Sequence, residues 1–407
     1  MSQTLAERII SQHAQQPVTA GDIAIVSVDG VMATDATAPL AIQAFRAMGG
    51  KKVWHKEKAF LVIDHAAPAP NERVANLHKL MRDFAHEQEI KLYDVGAGIC
   101  HQLMVENGHV RPGDLFLGAD SHTPTYGALG AMAVGVGSTD LAGVLRTGQT
   151  WLKVPSTVLF TLNGQLARGV VAKDVILFLV QKMGVEGAVY EAIEFNGPAV
   201  ERMTLASRMV LTNMVAEMGA KTGFVDTTGL TLAYPFIHQP VDETATFRAK
   251  FTVDLSDLRP QIACPHSPDN VLPLDALVGT KIDAAFIGSC TNSRLEDLHA
   301  AADVVRGHQL KARLLIAAAS QAVFNAALND GTVHTLISAG AIFITSGCGP
   351  CVGTHLGVPG DGETVISSTN RNFQGRMGNP KSHIYLASPA VVAAAAVAGE
   401  IVDPEDV

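Results

Sequence analysis

Residues 284–307 read AAFIGSCTNSRLEDLHAAADVVRG, and the order of residue types in them decides the fold class. A short apolar run stops at Gly288 and Ser289, a polar turn carries Cys290, and apolar residues then recur at helical spacing. The same order repeats along the chain. Strand candidates ending in Gly, Ser or Asp clusters are AFLVID (59–64), KLYDVGA (91–97), DLFLGAD (114–120), STVLFTL (156–162), RLLIAAA (313–319), AIFITSG (341–347) and ETVISST (363–369). Helical spacing over 71–89 and 172–184 lies between them, each stretch opening near an Asn, Asp or Ser able to cap it. Such alternation predicts an α/β chain with mainly parallel sheet.

Length and composition set the outer bounds. A chain of 407 residues, 47% hydrophobic and 17% charged, is long enough for two to four compact domains and too apolar for a disordered one. Composition shifts near Pro155 and across 264–279 suggest units at 1–153, 154–275 and 276–407. No period of 20 to 50 residues recurs, which argues against a solenoid or propeller. Thirty Lys and Arg against 39 Asp and Glu give a net charge of -9, leaving no basic excess to neutralise phosphates, so nucleic acid is not an expected partner. The apolar run AVVAAAAVAG (390–399) is too short to span a bilayer, and the first residues lack a signal-like apolar core. A cytoplasmic chain without a membrane partner is expected. Its five cysteines read as reduced thiols and not as a disulfide framework.

The spacing of three of them carries chemistry. Cys290 lies 58 positions before Cys348, which is three before Cys351 in ITSGCGPCVGTH, and each cysteine follows an apolar run in a turn. Closed zinc sites use four ligands, whereas three thiolates leave a position open, as on a 4Fe-4S cluster with one exposed iron acting as a Lewis acid. A redox CxxC beside an unrelated buried cysteine is the other reading of the same spacing. Cys100 and Cys264 lack such partners and read as ordinary thiols.

Acid and imidazole groups follow other strands: Asp64 and His65, then His101, then Asp120, Ser121 and His122. The carboxyl ends of parallel strands line the ligand crevice of open sheets, so these groups can converge for general acid–base work. The loop TNRNFQGR holds Asn370, Arg371 and Arg376, and guanidinium forks suit a carboxylate or phosphate. YGALGAMAVGVGSTD (126–140) matches neither a dinucleotide nor a P-loop fingerprint, and close backbone packing is the expected use of its glycines.

Taken together, DSHTPTYGALGA, GSCTNSR, SGCGPCVG and TNRNFQGR resemble, in order and over essentially the whole chain, the aconitase superfamily of iron–sulfur hydro-lyases. The length resembles its two-subunit branch, the isopropylmalate dehydratase and homoaconitase type, in which the mobile fourth domain is a separate small protein. The resemblance implies three α/β/α domains around a 4Fe-4S cluster held by Cys290, Cys348 and Cys351, a hydroxy dicarboxylate substrate, and a small-subunit partner supplying the missing base. It implies that Asp64 and His65 protonate the departing hydroxyl and that His101 bonds water at the cluster. Asp120, Ser121 and His122 would surround substrate, Glu194 would pair with an active-site histidine, and Asn370, Arg371 and Arg376 would bind carboxylate. Pro39 is expected where aconitase itself has a substrate-facing glutamine, which implies a substrate other than citrate. An RNA-binding iron sensor is the reading of a different class, opposed by the acidic charge.

Overall fold

The computed structural model describes residues 2–407. In chain order the first unit contains α1 (Leu5–Ala14), β1 (Ile23–Ser27), β2 (Gly30–Thr34), α2 (Ala38–Ala47), β3 (Ala59–Val62), α3 (Glu72–Gln88), β4 (Lys91–Tyr93), α4 (Cys100–Glu106), β5 (Leu115–Gly118), β6 (Met132–Gly135), α5 (Ser138–Thr147) and β7 (Gln149–Lys153). The second contains β8 (Thr157–Asn163), α6 (Ala172–Met183), β9 (Ala192–Asn196), α7 (Pro198–Glu201), α8 (Leu205–Met214), β10 (Thr222–Val225) and β11 (Ala249–Asp254). The third contains β12 (Gln261–Ala263), β13 (Val271–Pro273), β14 (Ala284–Ile287), α9 (Leu295–Val305), β15 (Arg313–Ala317), α10 (Gln321–Asn329), α11 (Thr332–Ala339), β16 (Ile342–Ile344), β17 (Thr364–Ser367), β18 (His383–Leu386) and α12 (Pro389–Ala398).

Three sheets follow, with strand orders β4-β3-β2-β5-β6, β10-β9-β8-β11 and β13-β12-β18-β17-β14-β15-β16, plus the antiparallel ribbon β1-β7. The first two are wholly parallel. In the third, only the pairings of β12, with β13 and β18, are antiparallel. Parallel strands must be covered on both faces, and the fully buried β2, β3 and β5 show that requirement met. Strands β12 and β13 lie ahead of the boundary at 275/276 suggested by composition, yet they hydrogen-bond in the third sheet. Pro260, Pro265 and Pro268 flank the two short strands and Pro273 ends β13, which makes this segment look like a boundary in the sequence, but its antiparallel pairing completes the third sheet with β13 at the edge.

Helix starts follow local chemistry. Asn71 accepts from Val74 N at the start of α3, as its sequence suggested. At α6 and α9 the acid three residues in, Asp174 or Asp297, reaches back to the backbone N–H of Val171 or Arg294 instead. Pro39 sits in the first turn of α2 and is buried there, while Thr37, just ahead of that helix, lines the cleft described below.

The chain order within each large sheet decides where a site can form. In the first, the chain runs outward from β2 through β3 and β4, then crosses to β5 and β6, so the direction reverses between β2 and β5. In the third it runs from β14 through β15 and β16, then crosses to β17 and β18, reversing between β14 and β17. Ligand crevices open at such switch points, because neighbouring loops there diverge to opposite faces. One apolar cluster joins Met32, Phe60 and Ile99 of the first unit to Cys290 and Cys348 of the third, so the two crevices are packed against each other. Among the described residues no helix is long and apolar enough to cross a membrane.

Candidate active site

The loops from both switch points line one cavity of ≈ 100 Å³, whose walls include His65, His101, Asp120, Ser121, His122, Cys290, Cys348, Cys351, Asn370, Arg371 and Arg376. It adjoins an open cleft of ≈ 630 Å³ that shares Asp120, Ser121 and Arg371 and reaches Thr37 and Lys221.

On the first-sheet side the groups form a continuous hydrogen-bonded chain. His65 Nδ1 lies 2.8 Å from Asp64 Oδ1, and the other Asp64 oxygen accepts Cys100 N–H at 2.7 Å. His65 Nε2 lies 3.3 Å from Asp120 Oδ2, while Asp120 Oδ1 meets His101 Nε2 at 2.9 Å and accepts His122 N–H at 2.8 Å. The far nitrogen of His101 meets the Tyr126 hydroxyl at 3.1 Å. Burial alone would push the His65 imidazole down, but the Cys348 sulfur and the carboxylates of Asp64 and Asp120 hold it well above the usual range. Burial likewise acts to raise Asp120, and the facing His101 and His65 hold it well below. His65 thus lies between two carboxylates, one at each ring nitrogen, which favour its protonated form.

His122 behaves oppositely. Burial, with the Arg371 cation nearby, pushes it down to about 4 despite its 2.9 Å contact with Glu217. Glu217 also accepts Arg371 Nε at 2.9 Å, and Arg371 Nη1 donates to Ser121 Oγ at 2.9 Å. Burial acts to raise Glu217, but His122 and Arg371 hold it ionised. Glu217 was not found by sequence reasoning, and Glu194 takes no part in the site. Glu194 instead accepts Leu5 N–H at 2.6 Å, and burial lifts it to about 8. Both acids belong to the second unit; Glu194 is on central strand β9, whereas Glu217 follows α8 in the short turn Val215–Met218. Only a turn that caps the crevice brings a carboxylate to His122, and the sequence VAEMG carries no signature of that.

Asp35, at the end of β2, was missed as well. It accepts the backbone N–H groups of Asp64, His65 and Ala66 at 3.0, 2.8 and 2.8 Å, and His78 Nε2 lies 3.3 Å away. The acid–imidazole pair is therefore fixed through its own backbone.

On the third-sheet side, Cys290 follows β14, and after β16 Cys348 caps a 3-10 turn (Gly349–Val352) that contains Cys351. All three are buried. Burial pushes the Cys290 thiol up to about 11 and Cys348 higher still, so they ionise only against a strong cation. Side-chain donors are already aimed at sulfur. Asn213 and Asn370 present Nδ2 to Cys290 Sγ at 3.1 and 3.3 Å, and Arg376 presents Nη2 to Cys351 Sγ at 3.7 Å. Asn213, on α8, is a further group that sequence reasoning missed.

The three sulfurs are not a single-ion set. Among the described residues the only trio of metal-ligating types within 4.8 Å of one another is Asp64, His65 and Cys348, and Asp64 and His65 are already committed to each other. Three wider-spaced thiols with N–H donors around them fit a polynuclear iron–sulfur group better than zinc. Gly347, at φ 158°, makes room for the thiol turn: a Cβ there would lie 2.8 Å from the Asp64 carbonyl oxygen, which accepts Cys348 N–H at 2.8 Å. Gly135 serves similarly, since a Cβ would lie 2.8 Å from Asp120 O.

Every expected site residue except Glu194 thus lies in or against one cavity. Arg376 carries an orphan, its Nε being buried without a partner among the described residues, as expected of a guanidinium awaiting an anion. Cys100 lines the cavity through its position at the start of α4, and Cys264 lies away from it.

Comparison with known proteins accords with this geometry. A model of the aconitase family (aconitate hydratase) matches residues 7–280 and 275–399. The chain is 47% identical to the 3-isopropylmalate dehydratase large subunit 1 of Methanopyrus kandleri, over 99% of both chains. It is 46% identical to the probable methanogen homoaconitase large subunit of Methanosarcina mazei, over 94% of this chain and all of that one. The crystal structure of Thermococcus kodakaraensis aconitase X in its holo-form superposes with a TM-score of 0.54 at 16% identity, covering 86% of this chain and 84% of that one. That likeness concerns the fold.

Proposed function

The chain belongs to the aconitase family, and we propose that it is the large subunit of a 4Fe-4S hydro-lyase that interconverts 2-isopropylmalate and 3-isopropylmalate in leucine biosynthesis. The observation that carries this reading is the meeting of three buried thiols with a proton-bearing His65 and two arginines around one cavity. Homoaconitase is the second reading, favoured by the Methanosarcina mazei relative. Dehydratases of methylated malates share the same chemistry.

Cys290, Cys348 and Cys351 would hold the cluster, which when bound supplies a Lewis-acidic iron. The chain's own groups do the rest. Arg371, braced by Glu217 and Ser121, keeps guanidinium edges free for one substrate carboxylate, and the orphaned Nε of Arg376 suits another. His65 holds the transferable proton at Nε2, on the cavity side, while Asp64 at Nδ1 fixes the ring and stabilises its charge. Asp120 orients His65 and His101 together. Dehydration then needs a base for the carbon-bound proton, and we assign it to the separate small subunit, which would close the ≈ 630 Å³ cleft. The subunit names of the relatives support such a partner, and we place the assembly in the cytoplasm.

The test supplies 2-isopropylmalate, homocitrate, citrate and 2,3-dimethylmalate to the anaerobically reconstituted chain, with and without a small subunit of the same family from the same organism. Turnover of 2-isopropylmalate only in the mixture is expected. Full turnover by this chain alone would reject the two-subunit reading, and preference for homocitrate would select the second.

A further inference from the structure

The fold buries one lysine completely, and the chemistry above does not use it. Lys173 lies in the first turn of α6 with no exposed surface. No ion pair holds it among the described residues; its Nζ donates to the carbonyl oxygens of Ser368 at 2.8 Å and Thr369 at 2.6 Å. These are the two peptide units immediately ahead of Asn370 and Arg371. Asp297 and Asp174 are the carboxylates whose charge reaches Lys173, neither close enough for an ion pair, and burial still pushes the amine down, so an apolar side chain would pack α6 at less expense. The cost therefore points to what the amine holds.

What it holds is a junction. The Ser368 hydroxyl donates to Asn292 O at 3.0 Å and accepts Gly288 N–H at 3.1 Å, and both those residues belong to the turn that carries Cys290. Two residues on, Asn370 donates to Cys290 Sγ. One side chain from the second unit thus grips the strand end from which the third unit's thiol turn and arginine loop are spaced. We propose that Lys173 is a positioning residue that holds Asn370 and Arg371 in register with Cys290. The proposal rests on the functional reading above only in calling that loop a carboxylate site.

A cavity of ≈ 180 Å³ adjoins Lys173, lined also by Ser207, Asn292, Glu296 and Ser388, and the side-chain oxygens Asn292 Oδ1 and Ser388 Oγ are buried there without partners. A small amine can therefore reach the space a truncated Lys173 would leave.

The experiment measures amide hydrogen exchange over residues 364–376 in the reconstituted chain and its Lys173→Ala variant, with ethylammonium or tetramethylammonium added at equal ionic strength. Exchange across 367–372 should rise about tenfold or more in the variant and return toward wild type with ethylammonium, which carries N–H donors, but not with tetramethylammonium. With the small subunit present, KM should rise about ten- to hundredfold with a lesser change in kcat, and ethylammonium should reverse it. Unchanged exchange in the loop, or loosening spread over all three sheets and indifferent to ethylammonium, would overturn the assignment. If Lys173→Ala does not fold, folding restored by ethylammonium supports the proposal and failure it does not mend counts against it. Lys173→Met, whose side chain leaves no room for the amine, is read by exchange alone, loosening confined to 367–372 supporting the proposal and unchanged exchange counting against it. Exchange reads the loop without any substrate, so an error in the substrate class would leave this outcome intact.

Discussion

The crevice of the first sheet and the crevice of the third have the same architecture and opposite chemistry. Each opens where the chain reverses direction across a parallel sheet, between β2 and β5 in one and between β14 and β17 in the other. On the first side carboxylates and imidazoles satisfy one another, with Asp120 spanning His65 and His101, so that side is charged and complete in itself. On the third side the thiols are held high by burial and meet amide, hydroxyl and guanidinium donors and the His65 ring, so that side still lacks the strong cation its thiols need to ionise. The difference teaches a division of labour: one crevice stores protons in a fixed network, and the other is built around a charge it must receive.

The most severe test breaks the third side. Cys290→Ser, Cys348→Ser and Cys351→Ser should each abolish bound iron and all turnover, because three ligands leave no redundancy, while Cys264→Ser retains both. Iron and acid-labile sulfide per chain are the readout, and full cluster content in Cys348→Ser would end the assignment. Breaking the first side should leave iron in place. His65→Asn is expected to lower kcat by about 10²–10⁴-fold with iron content unchanged, as for loss of a general acid.

A milder change sharpens the contrast between ionised and neutral acids. Glu217→Gln removes the charge that braces Arg371 and His122, forfeiting about 1.5–3 kcal/mol, which is about a ten- to hundredfold rise in KM. Glu194→Gln should leave kinetics untouched and change only stability against pH. Burial holds Glu194 at about 8 in the folded chain against 4.5 for a free carboxyl. The folded chain therefore keeps a proton that the unfolded chain releases first, and this group's contribution to stability falls as pH rises from about 4.5 to about 8. The variant, which keeps an oxygen for Leu5 N–H, should show a flatter melting temperature across that window. An unaltered pH dependence would mean that Glu194 is ionised when folded.

Much of this arrangement was legible in the sequence because it resides in strand ends. A strand stopping at Gly, Ser or Asp announces a turn, and turns of parallel strands share one edge, so Asp64 and Asp120 could be expected together; that Cys290 and Asn370 of another sheet join them was implied only by the family resemblance. The groups that support them were not legible. Asp35 acts through three backbone amides, Asn213 through a sulfur in another unit, and Glu217 from a short turn after a helix. Each is defined by a contact distant in sequence, and none leaves a local pattern. Glu194 misled because its likeness to the family motif spans only the few residues AIEFNGP, and its partner proves to be the first turn of α1. The strands β12 and β13 were hidden by Pro260, Pro265 and Pro268, which flank them, and by Pro273, which ends edge strand β13.

The peptide contact at Gly347 has a bearing on how variants of this site are to be interpreted. Cys348 N–H rests on the carbonyl of Asp64, and no side chain fits between them. A thiol residue and the residue whose carboxylate orients the proton carrier, 284 positions apart, are thus adjacent links in one mechanical train with no play between them. A perturbation on either link reaches the other undamped, so a kinetic defect alone cannot say which half of the site was hit. Spectroscopy of the metal and titration of the imidazole have to be measured side by side on the same sample.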